Sequence, residues 1–289
     1  MWKGNLTSKR RQAYDGKSKT LYEGPEAETY VQYFKDTITS THAEKKGVYS
    51  GKGVLCNRIS AHLMTKLEAI GIPTHFIRSI NMREQLVHKL DMIPLEVTVR
   101  NIAAGELVSK FDVKEGTVLP RPIVEFHLKN DKLRDPMVCE DHIVAFNWAD
   151  PYELEEIVMM VWRINDYLNG LFSGIGVKLV DFKVEFGRMW GEDDELYIIL
   201  ADEISPDVCR LWDAKTDEKL DKDLFREGKD GVVEAYQEIA KRLGLIPESG
   251  ILEGGNMNEQ IAAQLGEIEN VVSPDRRKLR SIKTPPRKS

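Results

Sequence analysis

The strictest alternation of charge and hydrophobe in the chain lies between Leu179 and Gly187, where Asp181, Lys183 and Glu185 take turns with Val180, Phe182, Val184 and Phe186. A period of two is that of a β-strand, which puts the three charges on one face and the four apolar side chains on the other. After a polar turn, Arg188 to Glu195, the run Leu196-Tyr-Ile-Ile-Leu-Ala201 is apolar on both faces and leads into Asp202-Glu203-Ile-Ser205-Pro-Asp207. The pattern predicts a β-hairpin that ends in acids. Alone, the charged face fits the solvated side of an amphipathic sheet. Beside a strand covered on both faces, the acids are expected to be shielded from water too, and such carboxylates need a counter-charge. Lys183 supplies one; a hard cation such as Mg²⁺, which takes oxygen ligands, is the natural other. Several carboxylates beside one lysine suggest a metal and phosphate site.

Earlier in the chain, Tyr14-Asp-Gly16-Lys17-Ser18-Lys19-Thr-Leu-Tyr22 and Tyr30 to Phe34 read as two strands joined by a Glu23-Gly-Pro-Glu turn, with Lys17 and Lys19 on one side. Such a lysine pair either protects an edge strand or grips phosphate. No GxxxxGK[ST] loop occurs; the nearest stretch, Gly47 to Gly53, fails at its last position. Lys35 to Lys52 reads as a long polar loop. An i, i+4 stripe of Leu55, Ile59, Leu63, Leu67 and Ile70, stopped by Gly71 and Pro73, predicts a helix. Short runs, Thr74 to Ile80 and Gln85 to Leu90, follow.

From Pro94 another alternating strand puts Glu96, Thr98 and Arg100 on one face, and Ala103-Ala104-Gly105 is small enough to let a ligand approach the backbone. The planar fork of Arg100 fits a carboxylate or phosphate, though a solvated surface arginine reads the same way. Ile123 to Leu128 predicts a strand, followed by a polar loop, Lys129 to Pro136. Asp150, Pro151 and Glu153 supply the N-cap, N1 proline and N3 acid of the longest helix. Its apolar face is Leu154, Ile157, Val158, Val161, Ile164, Leu168 and Leu171, with Met159, Met160 and Trp162 as packing. Val232, Val233, Tyr236, Ile239, Ala240 and Leu243 form a last amphipathic helix.

The 289 residues suffice for one large domain or two smaller ones. A formal net charge of -6 argues against a nucleic-acid partner over the body of the chain, and the basic stretch from Arg276 to Lys288 reads as a disordered, solvated tail. Cys56, Cys139 and Cys209 lie far apart without CxxC spacing, so neither a disulfide framework nor a zinc site is expected and a reducing cytoplasm fits. No apolar run of about 18 residues occurs and no signal-peptide core follows Met1, so no membrane partner is expected.

Four blocks, Tyr14-Asp-Gly-Lys-Ser-Lys19, Leu95-Glu-Val-Thr-Val-Arg100-Asn-Ile-Ala-Ala-Gly105, Leu179-Val-Asp-Phe-Lys-Val-Glu-Phe-Gly187 and Ala201-Asp-Glu-Ile-Ser-Pro-Asp-Val-Cys-Arg-Leu-Trp212, resemble in order and spacing the phosphoribosylaminoimidazole-succinocarboxamide synthase (SAICAR synthetase) family of purine biosynthesis. The similarity runs from Arg11 to Leu245. It implies an α+β fold of two lobes. A basic leader (1–13) precedes an N-terminal, mostly antiparallel lobe (14–94) and a larger α/β lobe (95–245), with ATP in the cleft between the lobes and a tail (246–289) outside them. It also implies an ATP-dependent ligase that uses Mg²⁺ and joins L-aspartate to the carboxylate of carboxyaminoimidazole ribonucleotide (CAIR) by way of an acyl phosphate.

By matching position, the resemblance implies that Lys17 and Lys19 contact ATP phosphates and that the backbone from Lys89 to Met92 holds adenine. Glu185 and Asp202 are the implied Mg²⁺ ligands, with Asp135 a third acid near them. Arg100 and Arg210 match positions that grip the ribonucleotide, Asp181 and Lys183 line the same cleft, and Lys222 and Arg226 lie in a matching Asp-Lys-Asp-x-Phe-Arg block that helps close it. The oligomeric state stays open, with a homodimer compatible.

Three features depart from the family pattern. Glu106 stands where a serine associated with the nucleotide's 5′-phosphate is usual, and is expected to repel that phosphate unless Arg100 or another cation pairs with it. Cys56 replaces the first asparagine of a Lys-Gly-x-x-Asn-Asn block, and Thr41-His42-Ala43 replaces a small glycine-containing loop. Glu106 keeps open a carboxylate–amine ligase with a shifted acceptor or donor. A catalytically weak nucleotide-binding scaffold is the remaining alternative, against which the intact acids and lysines speak.

Overall fold

Apolar alternation in the first third of the chain builds β1 (Gln12–Asp15), β2 (Lys19–Glu23), β3 (Thr29–Phe34), β4 (Thr37–Thr39), β5 (Lys46–Val48), α1 (Lys52–Ala69), β6 (Phe76–Asn81) and β7 (Glu84–His88). The computed structural model describes residues 10–40, 45–191 and 194–246, so Thr41-His42-Ala43, most of the leader and nearly all of the tail lie outside the described residues. Five of these strands form an antiparallel sheet in the order β1-β2-β3-β7-β6. The buried face of α1, led by Leu55, Ile59, Leu63 and Leu67, packs against β3, β6 and β7. Ile70, at the predicted end of that stripe, is the C-cap and is exposed.

Two expectations for this region change. Lys17 does not share a strand with Lys19. Asp15-Gly16 turns the chain, the Gly16 N–H is given to the Lys19 carbonyl, and Lys17 sits in the hairpin turn. The stretch from Lys35 to Lys52 is not all loop, because β4 and β5 pair within it. Ile38, the single apolar side chain of β4, is 1% exposed, too short a signal to show periodicity.

The second sheet begins at β8 (Asp91–Ile102) and continues through α2 (Glu106–Phe111), β9 (Val118–Leu128), β10 (Met137–Val138), α3 (Glu140–Ala145), α4 (Pro151–Gly174), β11 (Val177–Trp190), β12 (Leu196–Ala201), β13 (Cys209–Asp213), α5 (Asp223–Arg226) and α6 (Val232–Arg242). Its order is β10-β9-β8-β11-β12, with β13 also paired to β11. The architecture is thus α+β, with two large antiparallel sheets and the β4–β5 ribbon. Asp150 caps α4 by accepting from the Tyr152 and Glu153 amides, and Glu153 accepts in return from the Asp150 amide. No helix among the described residues is long and apolar enough to cross a membrane.

β11 organises this sheet. β8 runs along one edge, while β13 pairs with its first half, Val177 to Phe182, and β12 with its second half, Glu185 to Trp190. The chain between β12 and β13 therefore crosses the middle of β11, where the Lys183 amide donates to the Val208 carbonyl. Phe182, Val184 and Phe186 enter the main core, and α4 packs against β11. Val180 departs from the predicted face. A bulge between Leu179 and Asp181 sends Leu179 into the main core and Val180 into a small cluster with Ile102, Ala104 and Trp212. The strand also outruns its predicted end, because Arg188 is held by Glu153 and the Trp148 carbonyl.

A buried ion pair joins the two halves. Lys52, the first residue of α1, is 1% exposed and pairs with Asp207 of the β12–β13 connection. Asp207 also accepts from the Tyr236 hydroxyl of α6 at 2.7 Å. Burial would raise the Asp207 carboxyl, but Lys52 and Lys222 outweigh it and hold it at about 2. A carboxyl depressed from 3.8 contributes stability that is present above about pH 4 and lost as pH falls toward 2, a contribution of about 2 kcal/mol. Lys52→Met strands a buried carboxylate and is expected to lower unfolding free energy at neutral pH by about 3–5 kcal/mol. Urea unfolding across pH measures both effects, and a variant deficit that persists unchanged at pH 2 would contradict the assignment.

Candidate active site

Residues of the two large sheets line a shared cleft of about 410 Å³. Its apolar end is built by Leu21, Tyr30, Val87, Leu90 and Met92. Gly187 makes that end possible, since a Cβ there would lie 2.7 Å from the Leu90 Cβ, and the β11 register shifts between Glu185 and Gly187. Of the predicted hinge, Leu90 and Met92 line the cleft. The Lys89 amide is given to the Glu28 carbonyl and its ammonium lies 5.7 Å from the Tyr30 ring centroid.

The charged end is a quartet. Register pairing of Glu185 with Ala201 brings Glu185 beside Asp202. Lys19 reaches Asp202 and, at 2.8 Å, Glu203; Lys129 reaches Glu185. Burial and then the Asp202 charge push Glu185 up to about 7, whereas Lys19 and Lys129 outweigh burial and hold Asp202 below its ordinary value. Burial would lower Lys19, but Asp202 and Glu203 raise it further than burial lowers it. Two partly buried carboxylates side by side at this end of the cleft fit a hard divalent cation, and the lysines beside them fit phosphate. Asp202 has φ 65°, a left-handed conformation that costs a non-glycine residue about 1 kcal/mol. Its carbonyl accepts from His75 Nε2 at 2.9 Å, and burial holds the His75 ring down to about 4.

Asp135 lies in the loop that carries Lys129. Its carboxylate accepts from the Asn130 amide at 2.7 Å and its carbonyl faces His127 Nδ1, so it braces the 129–135 loop that carries Lys129. Lys17 pairs with Asp131 of the same loop at 2.6 Å. Among the described residues, the one trio of His, Cys, Asp or Glu ligand atoms within 4.8 Å is Cys56, Glu203 and Asp207. The Lys52 ammonium already supplies the cation there.

Further along β11, Asp181 lies opposite Arg100 on β8 and Arg210 on β13. Arg100, 4% exposed, is held by Glu125 at 2.9 Å and Asp181 at 3.1 Å; Arg210 bonds Asp181 at 2.6 Å and Asp223 at 2.7 Å. Arg226 joins through Asp223. Gly105 lets Arg210 in, since a Cβ there would lie 2.5 Å from its guanidinium and the residue has φ 59°. Lys183 bonds Glu96 at 2.5 Å. Half-buried Lys222 is lowered by burial, against the pull of Asp207 and with the push of Arg226. Glu106 does find a cation, though not Arg100. Lys110, one turn along α2, bonds it at 2.7 Å and holds its carboxyl down. The structure thus gathers Lys19, Glu185 and Asp202 at one end and Arg100, Asp181, Arg210 and Arg226 at the other. It adds Lys129, Glu125, Asp223 and His75, which no local pattern marks.

A family model described as SAICAR synthetase matches residues 12–243. The phosphoribosylaminoimidazole-succinocarboxamide synthase of Rhodospirillum centenum is 63% identical over 243 residues, 84% of this chain and 95% of that protein, and that of Acidiphilium cryptum is 60% identical over the same shares. A crystal structure of the Ehrlichia chaffeensis enzyme superposes with a TM-score of 0.80 at 46% identity, covering 82% of this chain and 100% of that one. A SAICAR synthetase solved in complex with ADP gives 0.76 at 42% identity, covering 81% and 99%. The sequence blocks, the two-lobed fold and these matches agree: the chain belongs to the SAICAR synthetase family.

Proposed function

We propose that the chain ligates L-aspartate to the carboxylate of CAIR with ATP, giving SAICAR, ADP and phosphate through an acyl phosphate. One observation carries the reading. The lysine–carboxylate quartet and the arginine network lie along one polar strand, with Glu185 and Asp181 about 13 Å apart by strand rise. ATP lies with adenine among Tyr30, Leu90 and Met92 and with its phosphates toward Lys17, Lys19 and Lys129. Arg210, steadied with Arg100 by Asp181, holds the ribonucleotide, and Lys222 and Arg226 take a substrate carboxylate.

In the first step a CAIR carboxylate oxygen attacks the γ-phosphorus and ADP leaves. In the second the aspartate amine attacks the acyl carbon, phosphate leaves and the ammonium proton is released. The attacking carboxylate and phosphate are both anionic, so the work of the site is alignment and charge neutralisation, with Lys183 beside the carboxylate. Glu185 and Asp202 would hold Mg²⁺, which when bound spreads the phosphate charge. Asp135 serves by bracing the Lys129 loop. Free thiols at Cys56, Cys139 and Cys209 suit a cytoplasmic enzyme.

A groove of about 730 Å³ adjoins the arginine network, with which it shares Glu125, and is lined by Phe111, Ile123 and Met137 without a lysine or arginine. We assign it to a homodimer through the β10 edge, with those three side chains 60%, 37% and 41% exposed.

ADP release is expected to require CAIR and L-aspartate together, and release with other amino acids at equal rate would overturn the acceptor assignment. Glu185→Gln is expected to abolish turnover while leaving the melting temperature near the parent's; full activity in that variant would remove Glu185 from the site. Lys110→Gln frees the Glu106 charge and should raise KM for CAIR about three- to tenfold, an effect that Glu106→Ser in the same chain should cancel. Light scattering should give the dimer mass for the parent and the monomer mass for Phe111→Asp.

A further inference from the structure

We infer that His75 is a positioning residue that sets the direction of the Asp202 carboxylate by holding the following peptide. The inference rests on reading Glu185 and Asp202 as the cation and phosphate end of the site. Adjacent residues of a strand point to opposite faces, so a chain continuing straight out of β12 would place the Asp202 and Glu203 carboxylates on opposite sides. Both nevertheless reach the Lys19 ammonium. They do so because the chain turns at Asp202 through φ 65°.

That turn is unfavourable for a residue with a Cβ, and it persists only where the surroundings over-determine it. The surroundings are specific. A carbonyl only accepts, so the contact with the Asp202 oxygen at 2.9 Å puts the ring proton on His75 Nε2. The ring cannot drift, because His75 is 5% exposed and its backbone is fixed on both sides. Its amide donates to the Leu200 carbonyl at 2.8 Å and its carbonyl accepts the His88 amide at 2.8 Å. The Thr74–Leu200 bridge and the bond from the Leu200 amide to the Pro73 carbonyl anchor the segment to β12 itself. One imidazole therefore ties the first sheet to the carbonyl whose orientation decides where two carboxylates point.

Two variants of similar length separate positioning from packing. His75→Met keeps the bulk without the donor, and His75→Gln keeps a donor. Titration calorimetry of ADP with and without Mg²⁺ is expected to show His75→Met losing about tenfold or more in Mg²⁺-dependent ADP affinity, with CAIR affinity within about twofold of the parent and His75→Gln recovering most of the loss. His75→Met binding Mg²⁺ and ADP like the parent, or His75→Gln as weak as His75→Met, would overturn the inference. Should His75→Met fail to fold, near-parent affinity in His75→Gln supports the inference and loss there overturns it. If the parent shows no Mg²⁺ dependence, the metal reading fails by itself. The crystal structure of His75→Met then decides, since Asp202 still at positive φ with Lys19 on both carboxylates would overturn the inference without reference to a metal.

Discussion

The site depends on how the second edge of β11 is divided. Because β13 covers Val177 to Phe182 and β12 covers Glu185 to Trp190, the connection between them must cross the strand at its polar midpoint. That crossing delivers Asp202, Glu203 and Asp207 next to Asp181, Lys183 and Glu185, and it supplies partners to each end. A strand paired without interruption along both edges would keep the same charges in line but leave no opening for the connection. The register with β8 completes the arrangement by setting Arg100 against Asp181 and Glu96 against Glu185.

Concentrating charge in a dry cleft is costly, and the fold offsets the cost by pairing rather than by exposure. The acids around the cleft each have a named cation: Asp202 has Lys19, Glu185 has Lys129, Asp207 has Lys52, and Asp181 has two arginines, while fully buried Asp221 is held by the Leu211 and Asp223 amides. The pairings are unequal. Glu185 is raised to about 7 and Asp207 held at about 2, although burial pushes both upward. The difference lies in the neighbours. Glu185 faces the like charge of Asp202, whereas Asp207 is flanked by Lys52 and a tyrosine hydroxyl. The first pair leaves room for a further cation; the second is closed and ties α1 and α6 to the β12–β13 connection.

What the sequence disclosed follows from range. The β11 alternation, the α4 cap and the apolar face of α6 are written in consecutive residues and were legible, as were the Glu185 and Asp202 acids at the ends of paired strands. Lys129 was not, because it reaches Glu185 across 56 positions from a loop with no period. His75 was not, because its importance lies in the dihedral angle of a residue 127 positions away. Val180 misled because a bulge reverses the face of a strand without any mark in the alternation, and Lys17 because an Asp-Gly turn interrupts what reads as one strand.

The two departures from the family pattern that lie within the described residues, Glu106 and Cys56, sharpen this point, since each is accommodated by its neighbours. Glu106 adds a negative charge, and Lys110 takes it up within the same helix. Cys56 stands in the buried cluster with Glu203 and Asp207, where an ionised thiolate would compete for Lys52. Burial and the Asp207 charge push that thiol well above its ordinary value, so it stays neutral, as the asparagine amide of the family pattern is neutral. The charge balance around Lys52 is therefore the same with either residue. The network at position 56 accommodates a small uncharged group, with Asp207 held by Lys52 and Tyr236.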